Sequence, residues 1–240
     1  MKLGVKTYDD GNFLKAFENS ADFFEVQAVQ KNNYDFLKKV SRPIVIHAEH
    51  FSLGANPADK TLFEKNLKSA NFAIELANQT NAKKIILHPG NLINKDCSEE
   101  QAVHFFKFLN DKRIIIENLS GNKGLCLIPK ETKEFLKSIN KNLCFDVSHC
   151  IASSNILGID YKKTLKEYLR LNPIHFHISG QDVNLKFDNH FSFFDKNSNI
   201  SIKEILSLFP KDAEITLEVT TDIEKTKKDL EFIREIIKEL

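Results

Sequence analysis

The residues from Ile174 to His190, IHFHISGQDVNLKFDNH, carry three of the chain's eight histidines. They begin as a strand-like run, Ile174–Ile178, and break at Ser179-Gly180. Side chains two apart on a strand share a face, so His175 and His177 point the same way. Asp188 follows eleven residues after His177, and His190 comes two further on. Imidazole and carboxylate together are ligands for a hard-to-borderline divalent metal. A histidine-rich strand followed by a solvated loop would give the same local pattern. The decision rests on the rest of the chain.

The same residue types recur where apolar runs end. Pro43–His47 ends in His47, Lys84–His88 in His88 and Arg113–Glu117 in Glu117. Leu143–Asp146 ends in Asp146, with His149 three residues on, and Glu214–Glu218 ends in Glu218. Seven histidines (His47, His50, His88, His149, His175, His177, His190) lie at or just past such an end, and only His104 falls in a helical stretch. Two earlier β-type runs, Lys2–Lys6 and Phe23–Gln27, bring the number of strands to eight.

Helical stretches separate these runs, over 11–19, 31–40, 59–80, from Ser98 onward, and over 130–139, 160–170, 201–208 and 222–239. The longest places Leu62, Phe63, Leu67, Ala70, Ala73, Leu76 and Ala77 close to a 3.6-residue period. Ser98 opens its helix as an N-cap, with Glu99 and Glu100 in the first turn. Strands three to five and eight are nearly continuous apolar runs, as buried parallel strands are. Eight strand–helix units in 240 residues predict an α/β fold, a single (β/α)8 TIM barrel, with residues 1–240 as one domain. A doubly wound open sheet is the alternative, but no GxGxxG follows the first strand.

In a barrel the C-terminal strand ends converge on one rim, where active sites form. Glu117, Asp146, Asp188 and Glu218 would then repel one another unless a cation neutralised them. The number of groups calls for more than one ion. A lone strand-end histidine more often bonds a backbone carbonyl, so it is the convergence that carries this reading.

Composition narrows the function classes. Lys and Arg number 34 against 33 Asp and Glu, a net charge of +1, which gives no basic footprint for nucleic acid. No apolar run is long enough to cross a membrane, and the N-terminus lacks the apolar core of a signal peptide. Cys97, Cys126, Cys144 and Cys150 form no CxxC pair, and predict reduced thiols in a cytoplasmic protein.

Along nearly its whole length the chain resembles the endonuclease IV / xylose isomerase-like TIM barrel superfamily (AP endonuclease family 2), and within it the endonuclease IV branch. His47 after the third strand, His88-Pro89-Gly90, Glu117-Asn118 with Gly121, Asp146 with His149, His177 with the later Asp188-Asn189-His190, and Glu218 carry the resemblance. It implies a nine-residue ligand set of His47, His88, Glu117, Asp146, His149, His177, Asp188, His190 and Glu218. It also implies zinc, two or three ions, with manganese or iron as alternatives, and catalytic roles for Glu117, Glu218 and His149. The implied activity is hydrolysis of a phosphodiester, in abasic-site DNA or a small phosphorylated substrate, with no membrane or protein partner. The alternative is a sugar or sugar-phosphate isomerase or epimerase using Glu117 and Glu218 around one metal, with Glu25 or His149 orienting the sugar. A peptide-directed iron oxidase and a catalytically inactive binding barrel are weaker alternatives. The departures from the branch lie in its DNA-gripping loops. The loop after the second strand, Gln30–Tyr34, has one lysine, His50 stands at an intercalating tyrosine's place, and Phe193–Asn197 replaces a glycine-rich segment.

Overall fold

The computed structural model describes residues 1–240 as a closed parallel barrel with strand order β1 to β8. The strands are β1 (Lys2–Thr7), β2 (Phe23–Gln27), β3 (Ile44–His47), β4 (Ile85–Leu87), β5 (Ile114–Glu117), β6 (Asn142–Asp146), β7 (His175–Ile178) and β8 (Glu214–Leu217). β1 pairs with both β2 and β8, which closes the sheet and leaves no edge. The helices are α1 (Gly11–Phe17), α2 (Phe63–Gln79), α3 (Glu99–Phe108), α4 (Pro129–Ile139), α5 (Val147–Leu157), α6 (Tyr161–Leu169), α7 (Ile202–Leu206) and α8 (Ile223–Lys238).

Strand alternation divides the apolar residues into two cores. Leu3, Val5, Phe24, Val26, Ile46, Ile116, Phe145 and Leu217 face outward and pack with the helices. Phe23, Val45, Ile86, Ile115 and Cys144 form a separate cluster that plugs the barrel interior. Gly4 belongs to the same layer, because a Cβ there would collide with the Phe23 ring. Two residues further along each strand, on the same face, stand Lys6, Glu25, His47, His88, Glu117, Asp146, His177 and Glu218. Each strand thus raises an ionisable side chain directly above the plug.

Two connections differ from expectation. Residues 31–40 form no α-helix; a 3-10 turn covers only Asp35–Lys39. The Tyr34 hydroxyl, which accepts from the Val29 N–H at 2.8 Å and donates to the Gln27 carbonyl at 2.6 Å, holds this stretch as a loop. After β6 there are two helices rather than one. α5 starts directly at Val147, and its first eight residues are all buried, so it has no polar face to advertise a helical period.

Candidate metal centre

The top of the barrel holds a polar cavity of about 430 Å³, lined among others by Lys6, His47, His88, His149, Asp188, His190 and Glu218. All nine sequence-predicted ligand residues meet at this end of the barrel, lining the cavity or buried directly beneath it, in three groups. His47, His88 and Glu117 form one group; Glu117, Asp146, His177 and Glu218 the second; His149, Asp188 and His190 the third. Within each group the ligand atoms lie within 4.8 Å of one another.

Glu117 joins the first two groups. Its Oε2 is 3.0 Å from His47 Nε2 and 3.2 Å from His88 Nε2. Its Oε1 is 3.2 Å from His149 Nδ1 and 3.4 Å from His177 Nδ1. Burial works to raise the Glu117 carboxyl, but the charges of His177 and His88 outweigh it and hold the group well below the carboxylate range.

Several of these residues are aimed by a second contact. His47 Nδ1 donates to the Ala48 carbonyl at 2.9 Å, which turns Nε2 toward Glu117. His149 Nδ1 donates to the Asn118 carbonyl at 2.8 Å, which turns Nε2 toward Asp188. Asp146 Oδ1 caps α5 by accepting from the His149 N–H at 2.7 Å, leaving Oδ2 to face His177. Asn118 pins the ends of β5 and β6 together, accepting from the Asp146 N–H and donating to the Asp146 carbonyl. Ser120 donates to Asp188 Oδ1 at 2.5 Å, and Asp188 Oδ2 lies 3.0 Å from His190 Nε2. His190 has a positive φ of 47°, a strained conformation of the kind that clusters at functional sites.

The donor set fits divalent cations. Glu117 Oε1, His177 Nδ1 and Glu218 Oε2 are buried and lack hydrogen-bond partners. All three belong to the Glu117–Asp146–His177–Glu218 group, and His177 Nδ1 is 2.8 Å from Glu218 Oε2. Orphaned buried polar atoms are rare and costly. Two like charges about 4 Å apart repel by about 4 kcal/mol at an effective dielectric of 20, so the carboxylates here need positive charge beyond Lys6, from protonated histidines or from metal ions. Cys144 reaches Glu117 and His177 from the layer beneath, and burial pushes its thiol up to about 12.

Sequence reasoning left Lys6, His50 and His175 without a role and gave Glu25 only that of orienting a sugar in the isomerase alternative. Lys6 is buried, with Nζ 2.8 Å from Glu218 Oε1 and 3.4 Å from Glu25 Oε1. Glu25 is fully buried below His177. Strand alternation places both inward, a signal legible once Gly4 and Phe23 are read as the layer beneath. His50, left outside the ligand set, stacks on His88 with ring centroids 5.1 Å apart; burial and the neighbouring His88 lower its pKa to about 2. His175 lies one layer below the rim, where burial lowers its pKa to about 4.

Barrel closure, the inward ionisable layer and a polar cavity at the C-terminal strand ends define a TIM barrel with a candidate metal site at its rim. The chain belongs to the xylose isomerase-like TIM barrel family, whose model matches residues 25–236. Among curated relatives, an uncharacterised protein of Methanocaldococcus jannaschii is 22% identical over 216 residues, 79% of this chain and 81% of that protein. A probable endonuclease 4 of Staphylococcus carnosus is 25% identical over 192 residues, 70% of this chain but only 64% of that protein. Among solved structures, a D-tagatose 3-epimerase-like protein superposes with a TM-score of 0.74 at 21% identity, covering 100% and 99% of the two chains. Endonuclease IV of Thermus thermophilus superposes with a TM-score of 0.77 at 17% identity, covering 100% of both. A further protein of T. thermophilus, soaked with zinc chloride, gives 0.74 at 16% identity, covering 100% and 99%. These likenesses extend to the fold. Nuclease and sugar-epimerase relatives both share it.

Proposed function

We propose that this barrel is a metal-dependent phosphodiesterase of the endonuclease IV type. Abasic-site duplex DNA is the first substrate to test, and a small phosphorylated molecule the second. The observation that carries this reading is the division of Glu117, whose two oxygens face two separate histidine groups. A carboxylate so placed could serve an ion on either side, with His47 and His88 beside one oxygen and His177 beside the other, whereas proton shuttling at one ion needs an oxygen free to face substrate. Glu218 is similarly committed, with Oε1 on Lys6 and Oε2 toward His177.

His47 and His88 would hold one ion with Glu117. Asp146, His177 and Glu218 would hold a second with Glu117, and His149, Asp188 and His190 a third. The mixed imidazole–carboxylate donors suit zinc, with manganese or iron as alternatives. Bound there, divalent ions supply Lewis-acid activation of the phosphoryl group and of attacking water. The chain's own residues arrange that chemistry. Glu117 fixes the spacing of two positions, His149 Nε2 and Asp188 form the loop-side wall, and half-exposed Tyr8 and Phe51 flank the cavity mouth. Residues 1–240 serve as one domain carrying this one site. The unpaired cysteines suit the reducing cytoplasm.

A sugar isomerase or epimerase is the second reading. Its support is the intact Glu117–Asp146–His177–Glu218 group together with the epimerase-like structural neighbour. It leaves His47, His88, Asp188 and His190 without a task. The deciding assay measures incision of an abasic-site duplex at low and moderate salt beside interconversion of ketoses, aldoses and their phosphates. Incision lost in Glu117→Gln supports the hydrolase. Sugar interconversion with no incision at any salt would transfer the assignment to the isomerase.

A further inference from the structure

Beneath the rim lies a second set of buried charges that none of the three ligand groups uses. Glu25 is 0% exposed, yet its Oε2 takes three contacts. His177 Nε2 lies at 2.9 Å, His175 Nε2 at 3.3 Å, and the Thr216 hydroxyl donates at 2.7 Å. Its Oε1 is 3.4 Å from the Lys6 ammonium, which also reaches Glu218 Oε1 at 2.8 Å.

Glu25, His175 and His177 by distance alone would make another metal site. Two features argue against that. Lys6 already supplies the neutralising charge, and the Thr216 hydroxyl fills the third direction at Oε2. The cluster therefore acts as support. His177 Nε2–H donating to a carboxylate leaves Nδ1 as the lone pair, and Nδ1 is the atom that faces Glu117, Asp146 and Glu218. Lys6, held by Glu25, fixes the oxygen of Glu218 that points away from His177.

We propose that Glu25 is a positioning residue that sets two members of the Glu117–Asp146–His177–Glu218 position, His177 directly and Glu218 through Lys6. Carboxylate partners of a ligating imidazole fix its tautomer and ring orientation, and their loss typically lowers metal affinity about 10–100-fold. The His47–His88 position has no contact with Glu25. The effect should therefore fall on one position of the site, which a merely structural role would not produce. This inference rests on the metal-dependent reading proposed for the rim.

The test is zinc titration against a chromogenic chelator, with wild type and Glu25→Gln compared at equal folded content by circular dichroism. The expected result is one class of zinc site weakened about 10–100-fold, with the remaining sites unchanged and partial recovery in Glu25→Asp. Equal weakening of every class, or no change, would overturn the proposal. Should Glu25→Gln fail to fold, histidine-selective ¹⁵N correlation spectra of the zinc-loaded wild type decide instead. His177 protonated at Nε2 supports the proposal, and His177 protonated at Nδ1 overturns it. Wild type that binds no zinc would fail the metal reading itself, a different outcome from zinc binding indifferent to Glu25.

Discussion

Replacing Glu117 by glutamine should remove most of the stabilisation that metal gives this fold. An ion present at 100 times its Kd stabilises the folded state by about 2.7 kcal/mol. At this chain length each kcal/mol moves Tm by about 2–4 °C, so one position contributes roughly 5–11 °C. Glu117 belongs to two of the three ligand groups, and Asp188 to one. Wild type stripped with chelator and then saturated with zinc should therefore gain roughly 10–30 °C, taking two to three positions additively. Asp188→Asn should lose the share of one position, and Glu117→Gln the share of two. The assay is differential scanning fluorimetry with and without zinc, each variant measured against its own metal-free form so that any cost to the bare fold cancels. A zinc-induced rise in Glu117→Gln equal to that of wild type would refute the bridging role assigned to its carboxylate.

Two further predictions concern the scaffold. Phe145 is fully buried and stacks on Tyr168 with ring centroids 4.9 Å apart, so Phe145→Ala should destabilise the barrel by about 3–5 kcal/mol in urea unfolding. Asp229 on α8 accepts from the Ser192 hydroxyl and the Phe193 N–H, both at 2.8 Å, and burial raises its pKa. A raised carboxyl pKa costs the fold nothing below the unfolded value, and the cost grows as pH climbs through the folded value. Asp229→Asn keeps an oxygen for both donors, so it should match wild type in Tm at pH 3.5 and exceed it at pH 8. A variant less stable than wild type at pH 8 would contradict that sign.

The residues that meet at the rim were legible because each closes a β-type run or follows one closely. Five of those runs end in His, Glu or Asp where an ordinary buried strand would finish in Val or Ile. The barrel followed from the same runs, whose apolar residues are continuous because both faces are covered. Lys6 and Glu25 were harder to read. Each is a charged residue within an apolar run, and only the register of neighbouring strands shows that they turn inward, above Gly4 and Phe23. α5 escaped notice because a helix buried all round has no amphipathic period, so His149 read as a loop residue although it lies in that helix's first turn. The stretch after β2 carried enough Lys, Asp, Phe and Leu to suggest a helix. Tyr34 settles it as a loop by bonding the backbone at Val29 and Gln27, a contact that periodicity cannot express.

The central claim is that Glu117 lies between two ions. Its most direct measurement is the metal content per chain of protein purified without added metal, by inductively coupled plasma mass spectrometry, with the ions located by anomalous diffraction. At least two ions per chain are expected, one on each side of the Glu117 carboxylate. A single ion on Asp146, His177 and Glu218, or none in metal-replete protein, would contradict the claim.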